Sequence, residues 1–330
     1  MNKRILITGG AGFVGRRLVR FMLEKNYEVV VVDNLAKLTG AINPIDKWPL
    51  FEPRDYKNFT FQEMDCREWF IKNENEKFDY VFHLAAMVGG REIIENNPLI
   101  VAEDLSIDSS FWQWCSKSMP YKVVCFSSSA CYPIELQRYD NYRLLDEEDI
   151  NFSQNIGMPD MTYGWAKLTC EYLAQIAFKK YGIKSICYRP FSGYGEDQDL
   201  NYPFPSICKR VLENKNSKNI QVWGSGKQLR DFIYIDDCID GIYKTMDKIN
   251  DGTALNLSTG KYTSFIDFTK KACNILGFDS EVQGLESKPE GVFARGGNTN
   301  KQIELGFKYK TELDEGIKKA LNYFEKKFNK

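Results

Sequence analysis

The chain predicts an α/β fold, a doubly wound parallel sheet followed by a smaller mixed α/β C-terminal lobe. Three observations carry that expectation. Over residues 1–190, short apolar runs alternate with amphipathic stretches in β–α–β order. Glu28–Val32 is a nearly unbroken β-branched run, the pattern of a strand covered on both faces. Between the first strand and the first helix stands a glycine-rich turn, Thr8–Gly15.

In order, Arg4–Ile7 predicts the first strand and Gly12–Lys25 the first helix, with Phe13, Leu18, Val19, Met22 and Leu23 on one side. Further strands are expected at Phe59–Gln62, Asp79–Phe82, Lys122–Ser127 and Lys184–Tyr188, with helices at Pro98–Lys117 and Thr162–Tyr181. Asn34–Asn58, punctuated by Pro44, Pro49 and Pro53, reads as a long irregular loop of the kind that often serves function. After Arg189 the pattern turns mixed, with helices expected at Asp236–Lys248 and Glu312–Lys327. Residues 1–190 are therefore expected to form one domain. Residues 191–330 are expected to form a second lobe that closes over the C-terminal edge of the sheet, parts of it packing back on the first.

Composition narrows the function. Of 330 residues, 43% are hydrophobic and 27% charged, the balance of a soluble globular protein. The net charge of -1 and the lack of a basic stripe argue against a nucleic-acid partner. The lysines near the end (Lys318, Lys319, Lys326, Lys327, Lys330) read as the solvated face of a last helix. Nine cysteines without a CxxC pair disfavour a disulfide framework, and a single histidine, His83, leaves no metal site built on histidines. Met1–Gly10 has too short an apolar run for a signal peptide, and no stretch approaches the ~20 apolar residues of a membrane span. The expected location is the cytoplasm.

Gly9, Gly12 and Gly15 give the spacing GxxGxxG, which lets a backbone approach a pyrophosphate at a helix N-terminus. Asp33 ends the next strand ~20 residues on, where a carboxylate can hold both ribose hydroxyls and repel a 2′-phosphate. A Rossmann-type site for NAD rather than NADP follows. Asp65, after the third strand, is read either as an adenine contact or as a helix cap. Tyr163 and Lys167, four apart on a helix, share one face. A nearby ammonium favours the phenolate, which can then take a proton from a hydroxyl. Ser127-Ser128-Ser129 ends a sheet strand at the edge where open α/β sheets bind ligands.

These motifs resemble those of the extended short-chain dehydrogenase/reductase family, the NAD-dependent sugar-nucleotide epimerases and dehydratases. The resemblance spans nearly the whole chain: TGGAGFVG (8–15), HLAA (83–86), SSSACYP (127–133), YGWAK (163–167), RPFSGYG (189–195) and RDFIYIDD (230–237). It implies a catalytic Tyr163, Lys167 and a serine, Ser128 being preferred with Ser129 as a second contact. It implies NAD contacts at Gly9, Gly12, Phe13, Val14, Gly15, Asp33, Asn34, Asp65, Cys66, Leu84, Ala85 and Ala86, besides Tyr163 and Lys167. His83 is expected to be structural, and the family asparagine of the following helix is missing, with Leu105 near its place. A homodimer through Pro98–Lys117 and Thr162–Tyr181 is the family expectation.

The resemblance also bears on the reaction. Ala130 and Cys131 stand where dehydratases carry an acidic pair, and Cys131 has no histidine partner of the kind 3,5-epimerases use. Two outcomes of C4 oxidation remain open, a 4-dehydrogenase that releases the keto sugar and a 4-epimerase that reduces it again. Arg230 resembles the family's diphosphate-gripping arginine, and 288–295 resembles a segment of GDP-mannose 3,5-epimerase, making Arg295 a second contact. Met87, Gly89 and Gly90 resemble a hexose-side turn of GDP-sugar enzymes, and Ser192 stands where many relatives have asparagine. The implied partner is a nucleoside diphosphate sugar. Within the family the chain resembles the GDP-manno-heptose 4-dehydrogenases of bacterial capsule synthesis.

Overall fold

The structure is a computed structural model that describes residues 3–328. Met1, at the head of the N-terminal run, and Lys330, of the basic C-terminal face, lie outside the described residues.

The central sheet is parallel throughout. It contains β1 (Arg4–Thr8), β2 (Glu28–Asp33), β3 (Phe59–Glu63), β4 (Tyr80–His83), β5 (Lys122–Phe126), β8 (Ser185–Pro190) and β11 (Asp251–Leu257). A two-residue ribbon, β6 (Gln137–Arg138) and β7 (Asn141–Tyr142), lies between β5 and β8 in the chain. The spatial order is β11-β8-β5-β4-β1-β2-β3. Strand order reverses between β1 and β4, so a crevice opens at their C-terminal ends, the switch point where such sheets bind ligands. The expected strands are present with their ends shifted by a residue or two.

Strand β11 is not among those the sequence predicts. It starts with Asp251-Gly252, a turn signal, and its register against β8 slips between Asp251 and Ala254. Edge position and a broken start hide its periodicity.

Val29–Val32 of β2 are all buried, as a strand covered twice should be, and each side chain contributes about 1.5–3 kcal/mol on leaving water. On one face, α1 (Phe13–Glu24) packs with α8 (Ile235–Thr245) over Ile5, Ile7, Val29 and Val31. On the other, α2 (Cys66–Lys72), α5 (Glu103–Ser118) and α6 (Met161–Tyr181) cover Leu6, Val30, Val81 and Val123. The expected helix at Pro98–Lys117 is two, a short α4 (Pro98–Val101) and α5, preceded by α3 (Arg91–Asn96).

The later lobe has its own core. Here α7 (Pro203–Glu213), α9 (Phe265–Ile275) and α11 (Leu313–Phe328) enclose the parallel pair β9 (Asn219–Trp223) and β13 (Glu281–Leu285) around Phe204, Phe232, Phe268 and Phe324. A small sheet, β12 (Thr263–Ser264), β10 (Leu229–Arg230) and β14 (Ala294–Arg295), sets two arginines side by side, since Arg230 pairs with Arg295. The short α10 (Asn300–Glu304) precedes α11. Elements from beyond residue 190 thus serve both parts: α8, β11 and α10 join the first, and α7, α9 and α11 with their strands form the lobe. Among the described residues, no helix is long and apolar enough to cross a membrane.

Candidate active site

One cleft of about 680 Å³ runs from the ends of β1 and β2 to the lobe, within the ~300–1,000 Å³ usual for ligand sites. Every cofactor, catalytic and substrate residue expected from sequence lines it.

The cofactor end is built from backbone. Gly9 has φ 71°, a left-handed conformation, and a Cβ there would lie 2.6 Å from the Ala85 nitrogen. A Cβ on Gly15 would lie 2.4 Å from the Gly9 carbonyl oxygen. Gly12 differs, because its added Cβ would meet only the Gly9 oxygen at 3.4 Å. Its bare backbone faces the cleft as the N-cap of α1, and no side chain caps that helix end. The end is a cradle for an anion.

Asp33 accepts the Ala11 N–H at 2.9 Å on one carboxylate oxygen and the Leu35 N–H at 2.9 Å on the other. Each oxygen keeps a lone pair for a ribose hydroxyl. Burial raises this carboxyl, and the two N–H groups work against the rise. These residues fit a dinucleotide with a free 2′-hydroxyl. Asp65 fulfils one of its two readings outright. It caps α2 through the Arg67 N–H at 2.8 Å and pairs with the Arg67 guanidinium, while also lining the cleft.

The middle is chemical. Helix α6 begins at Asp160 as N-cap and ends at Gly182, whose φ of 71° stops it. Its first two turns present Tyr163 and Lys167, the lysine nitrogen 5.7 Å from the phenol ring centre. Burial raises the Tyr163 phenol, the Lys167 ammonium opposes that, and Asp104 adds to it. Of the three serines, Ser127 is taken up by Glu171 and by Cys131 at 3.1 Å. Ser128 is the one that acts on Tyr163, its hydroxyl lowering the phenol, and Ser129 lies beside it on the cleft wall. Cys131 is fully buried behind that wall, and burial, then the Glu171 charge, pushes its thiol up. That state suits a packed side chain, not an acid or base.

His83 lies outside the cleft. It stacks on Phe111 with centroids 3.8 Å apart and bridges Thr8 at 2.8 Å and Asp108 at 3.1 Å. One expectation needs correction. Leu105 points away, 42% exposed, and Asp104 is the residue of that turn that reaches the site. Its carboxylate lies 3.4 Å from the Lys167 nitrogen. The helix turn places 104, not 105, on the sheet side, which spacing from a distant motif did not resolve.

Four arginines line the cleft, and three of them, Arg91, Arg230 and Arg295, gather around Asp160 at the far end. Arg295 reaches Asp160 at 2.8 Å and Gln137 at 2.7 Å, and Arg91 reaches the same Asp160 at 2.9 Å. Burial alone would raise the Asp160 carboxyl, but Arg295 and Arg91 more than reverse that and hold it low. Arg230 donates to backbone carbonyls, those of Leu229 at 2.8 Å, Phe293 at 3.4 Å and Glu290 at 3.5 Å. Burial in the cleft, with Arg295 and Arg91 nearby, pushes its pKa down to about 9. Asp160 and Glu290 act on it only from a distance, so among the described residues it has no ion pair of its own, and an anion laid against it would relieve the cost of burial.

Sequence reasoning missed Arg91 and Asp160. Arg91 directly follows Gly90, and Asp160 precedes the catalytic helix, so position alone could have raised both. Gly90 itself is tight, since a Cβ would lie 2.0 Å from the Asn201 oxygen. Ser192, on the cleft wall, has φ 36°, a region where asparagine or glycine is usual.

The NAD dependent epimerase/dehydratase family matches residues 5–258. The chain belongs to that family. It is therefore an NAD-dependent enzyme with a Rossmann-like parallel sheet, and the cradle described above fits the cofactor. Among curated relatives, a putative UDP-glucose 4-epimerase of Methanocaldococcus jannaschii is 28% identical, covering 97% of this chain and 98% of its own. A GDP-L-fucose synthase of Sinorhizobium fredii is 25% identical over 98% of this chain and 96% of its own. Among solved structures, the UDP-glucose 4-epimerase of Thermotoga maritima with UDP-glucose superposes with a TM-score of 0.83 at 26% identity, covering 98% and 99% of the two chains.

Proposed function

We propose that this enzyme oxidises the C4 hydroxyl of the sugar in a nucleoside diphosphate sugar. One observation carries the reading. The Tyr163–Lys167–Ser128 group and Arg230, which has no ion pair of its own and is flanked by Arg91 and Arg295, lie on one cleft, so a proton acceptor and an anion site face a single substrate. The relatives named above, a putative UDP-glucose 4-epimerase and a GDP-L-fucose synthase, support the same class.

In this reading the diphosphate lies against Arg230 and Arg295, and the sugar lies between the Met87–Gly90 turn and Tyr163. Ser128 orients the reacting hydroxyl, Tyr163 takes its proton, and Lys167 stabilises the phenolate. NAD, when bound, supplies the hydride acceptor. Ala130 has no proton to give a leaving hydroxyl and Cys131 is walled off, which favours simple oxidation over dehydration.

The specific form we put forward is a GDP-sugar 4-dehydrogenase of the GDP-manno-heptose type, serving capsule or surface polysaccharide synthesis. The GDP-linked relatives favour it. A 4-epimerase is the second reading, favoured by the likeness to the Thermotoga maritima enzyme. A homodimer accompanies either, since Leu99, Leu105, Trp165 and Tyr172 leave apolar surface exposed on α4, α5 and α6. Sedimentation would show a mass twice that of the chain, and a monomer at all concentrations would refute it.

The test is to incubate the purified enzyme with GDP- and UDP-sugars and follow NADH absorbance and sugar NMR. A lasting rise with a 4-keto product from GDP-sugars alone supports the dehydrogenase. A new C4 epimer without net NADH selects the epimerase. Turnover of UDP-sugars only removes the GDP assignment. Tyr163→Phe should keep its dinucleotide and lose about 100- to 10,000-fold in rate. Unchanged turnover would remove Tyr163 as the base.

A further inference from the structure

Behind Tyr163 and Lys167 lies a buried polar cluster that the proposed chemistry does not use. Asp104, on the first turn of α5, is 1% exposed. One carboxylate oxygen accepts the Met87 N–H, at the head of the turn that walls the sugar end of the cleft. The other oxygen lies 3.4 Å from the Lys167 nitrogen and has no other partner. One helical turn on, Asp108 faces His83 at 3.1 Å. Thr8 accepts the Ala85 N–H on its oxygen at 3.4 Å and meets His83 Nδ1 at 2.8 Å, so with the ring proton on Nε2, Thr8 can donate to Nδ1 and Nε2–H can donate to Asp108. A neutral His83 satisfies that arrangement. Asp108 is thereby engaged with the ring, whereas Asp104 answers to Lys167.

We propose that Asp104 is a positioning residue of the catalytic site: it ties Lys167 to the Met87 turn, and its negative charge sets the pH at which Tyr163 becomes a base. A buried carboxylate needs a cation, and Lys167 is the one in reach. The same ammonium is what favours the Tyr163 phenolate, so the carboxylate and the phenol compete for one charge. The groups facing this trio are Asp108 and Cys170 toward Lys167, and Ser128, Cys131 and Tyr202 toward Tyr163. Both thiols and the Tyr202 phenol sit above their ordinary range and stay uncharged. Lys167 and Asp104 are therefore the charged pair that acts on the base, and Asp108 acts on the lysine. Burial opposes the Lys167 ammonium but Asp104 and Asp108 outweigh it, keeping the lysine a cation. The Tyr163 phenol is raised by burial, lowered by Lys167 and raised again by Asp104.

The inference rests on Tyr163 being the base, and the experiment separates the two. In the NAD-loaded enzyme, tyrosinate absorbance is titrated for the wild type and Asp104→Asn, each against a Tyr163→Phe background, and the rate–pH profile is recorded on whichever sugar nucleotide is turned over. The amide can still accept the Met87 N–H but cannot neutralise Lys167. The tyrosinate titration and the acid limb of kcat/KM should move down together by about one pH unit. Asp104→Ser, which also loses the charge, should give the same shift and is read if the amide variant does not fold. The wild-type acid limb should lie above neutrality. A titration left in place in a folded Asp104 variant, or a wild-type limb below neutrality, overturns the proposal. If Tyr163→Phe keeps full turnover, the reading of the base fails instead.

Discussion

The two ends of the cleft are made by opposite means. At the cofactor end, one short stretch of chain does the shaping: Gly9, Gly12 and Gly15 leave room that any side chain would fill, and Asp33 completes the site from the next strand. At the substrate end, charge does the shaping, and its parts come from distant places. Arg91 follows β4, Asp160 stands just before α6, Arg230 lies on β10 and Arg295 on β14. The first end excludes atoms, the second supplies them. A change of shape should therefore damage the first, and a change of charge the second.

The largest expected effect is at Gly15. In Gly15→Val the Cβ alone would lie 2.4 Å from the Gly9 oxygen, a backbone atom that cannot swing aside. The variant should lose about 3 kcal/mol of stability and purify without dinucleotide. Urea unfolding and the absorbance of dinucleotide released on denaturation check this. A normal midpoint with full cofactor content would show that the turn can relax, and the contrast between the two ends would fall.

Arg230→Met should do the reverse. It conserves bulk and removes the unpaired charge, so stability should hold or rise slightly, because a burdened cation is gone. NAD content should be unchanged. KM for a nucleoside diphosphate sugar should climb by about 30-fold, equivalent to a charged hydrogen bond of about 2 kcal/mol. A loss in kcat with KM unaltered would place the arginine in the chemical step and not in substrate holding.

The same contrast explains what could be read from the sequence. The glycines, Asp33, Tyr163 and Lys167 were legible because each pattern lies within one element or at one strand end, where spacing dictates geometry. Arg230 and Arg295 needed a family resemblance, since nothing local says that the two arginines pair across β10 and β14. Asp160 and Asp104 were missed for a related reason. Each acts by what it faces across the fold, and neighbours in sequence report nothing of that. The step from Leu105 to Asp104 shows the scale of the problem, for one residue is about 100° of helix rotation, enough to exchange a buried face for an exposed one. Strand β11 escaped because it enters the sheet at an edge after a Gly kink, with too few clean alternations to be recognised.

The smallest effect sharpens the comparison most, because it sets shape against contact at one residue. Ser192 is held at φ 36° on the cleft wall, at a cost of about 1–2 kcal/mol for a side chain with a Cβ. Ser192→Gly removes that strain but adds freedom to the unfolded chain worth about 0.4–1 kcal/mol. A net gain of about 0.5 kcal/mol in stability is expected, seen as a slightly higher urea midpoint. If the Ser192 hydroxyl touches the sugar, KM should rise severalfold in the same variant, so that the protein becomes firmer as it binds less well. A firmer protein with unchanged KM would mean the serine is there for neither shape nor contact with substrate. A softer protein would mean that its hydroxyl makes bonds in the free enzyme that outweigh the strain.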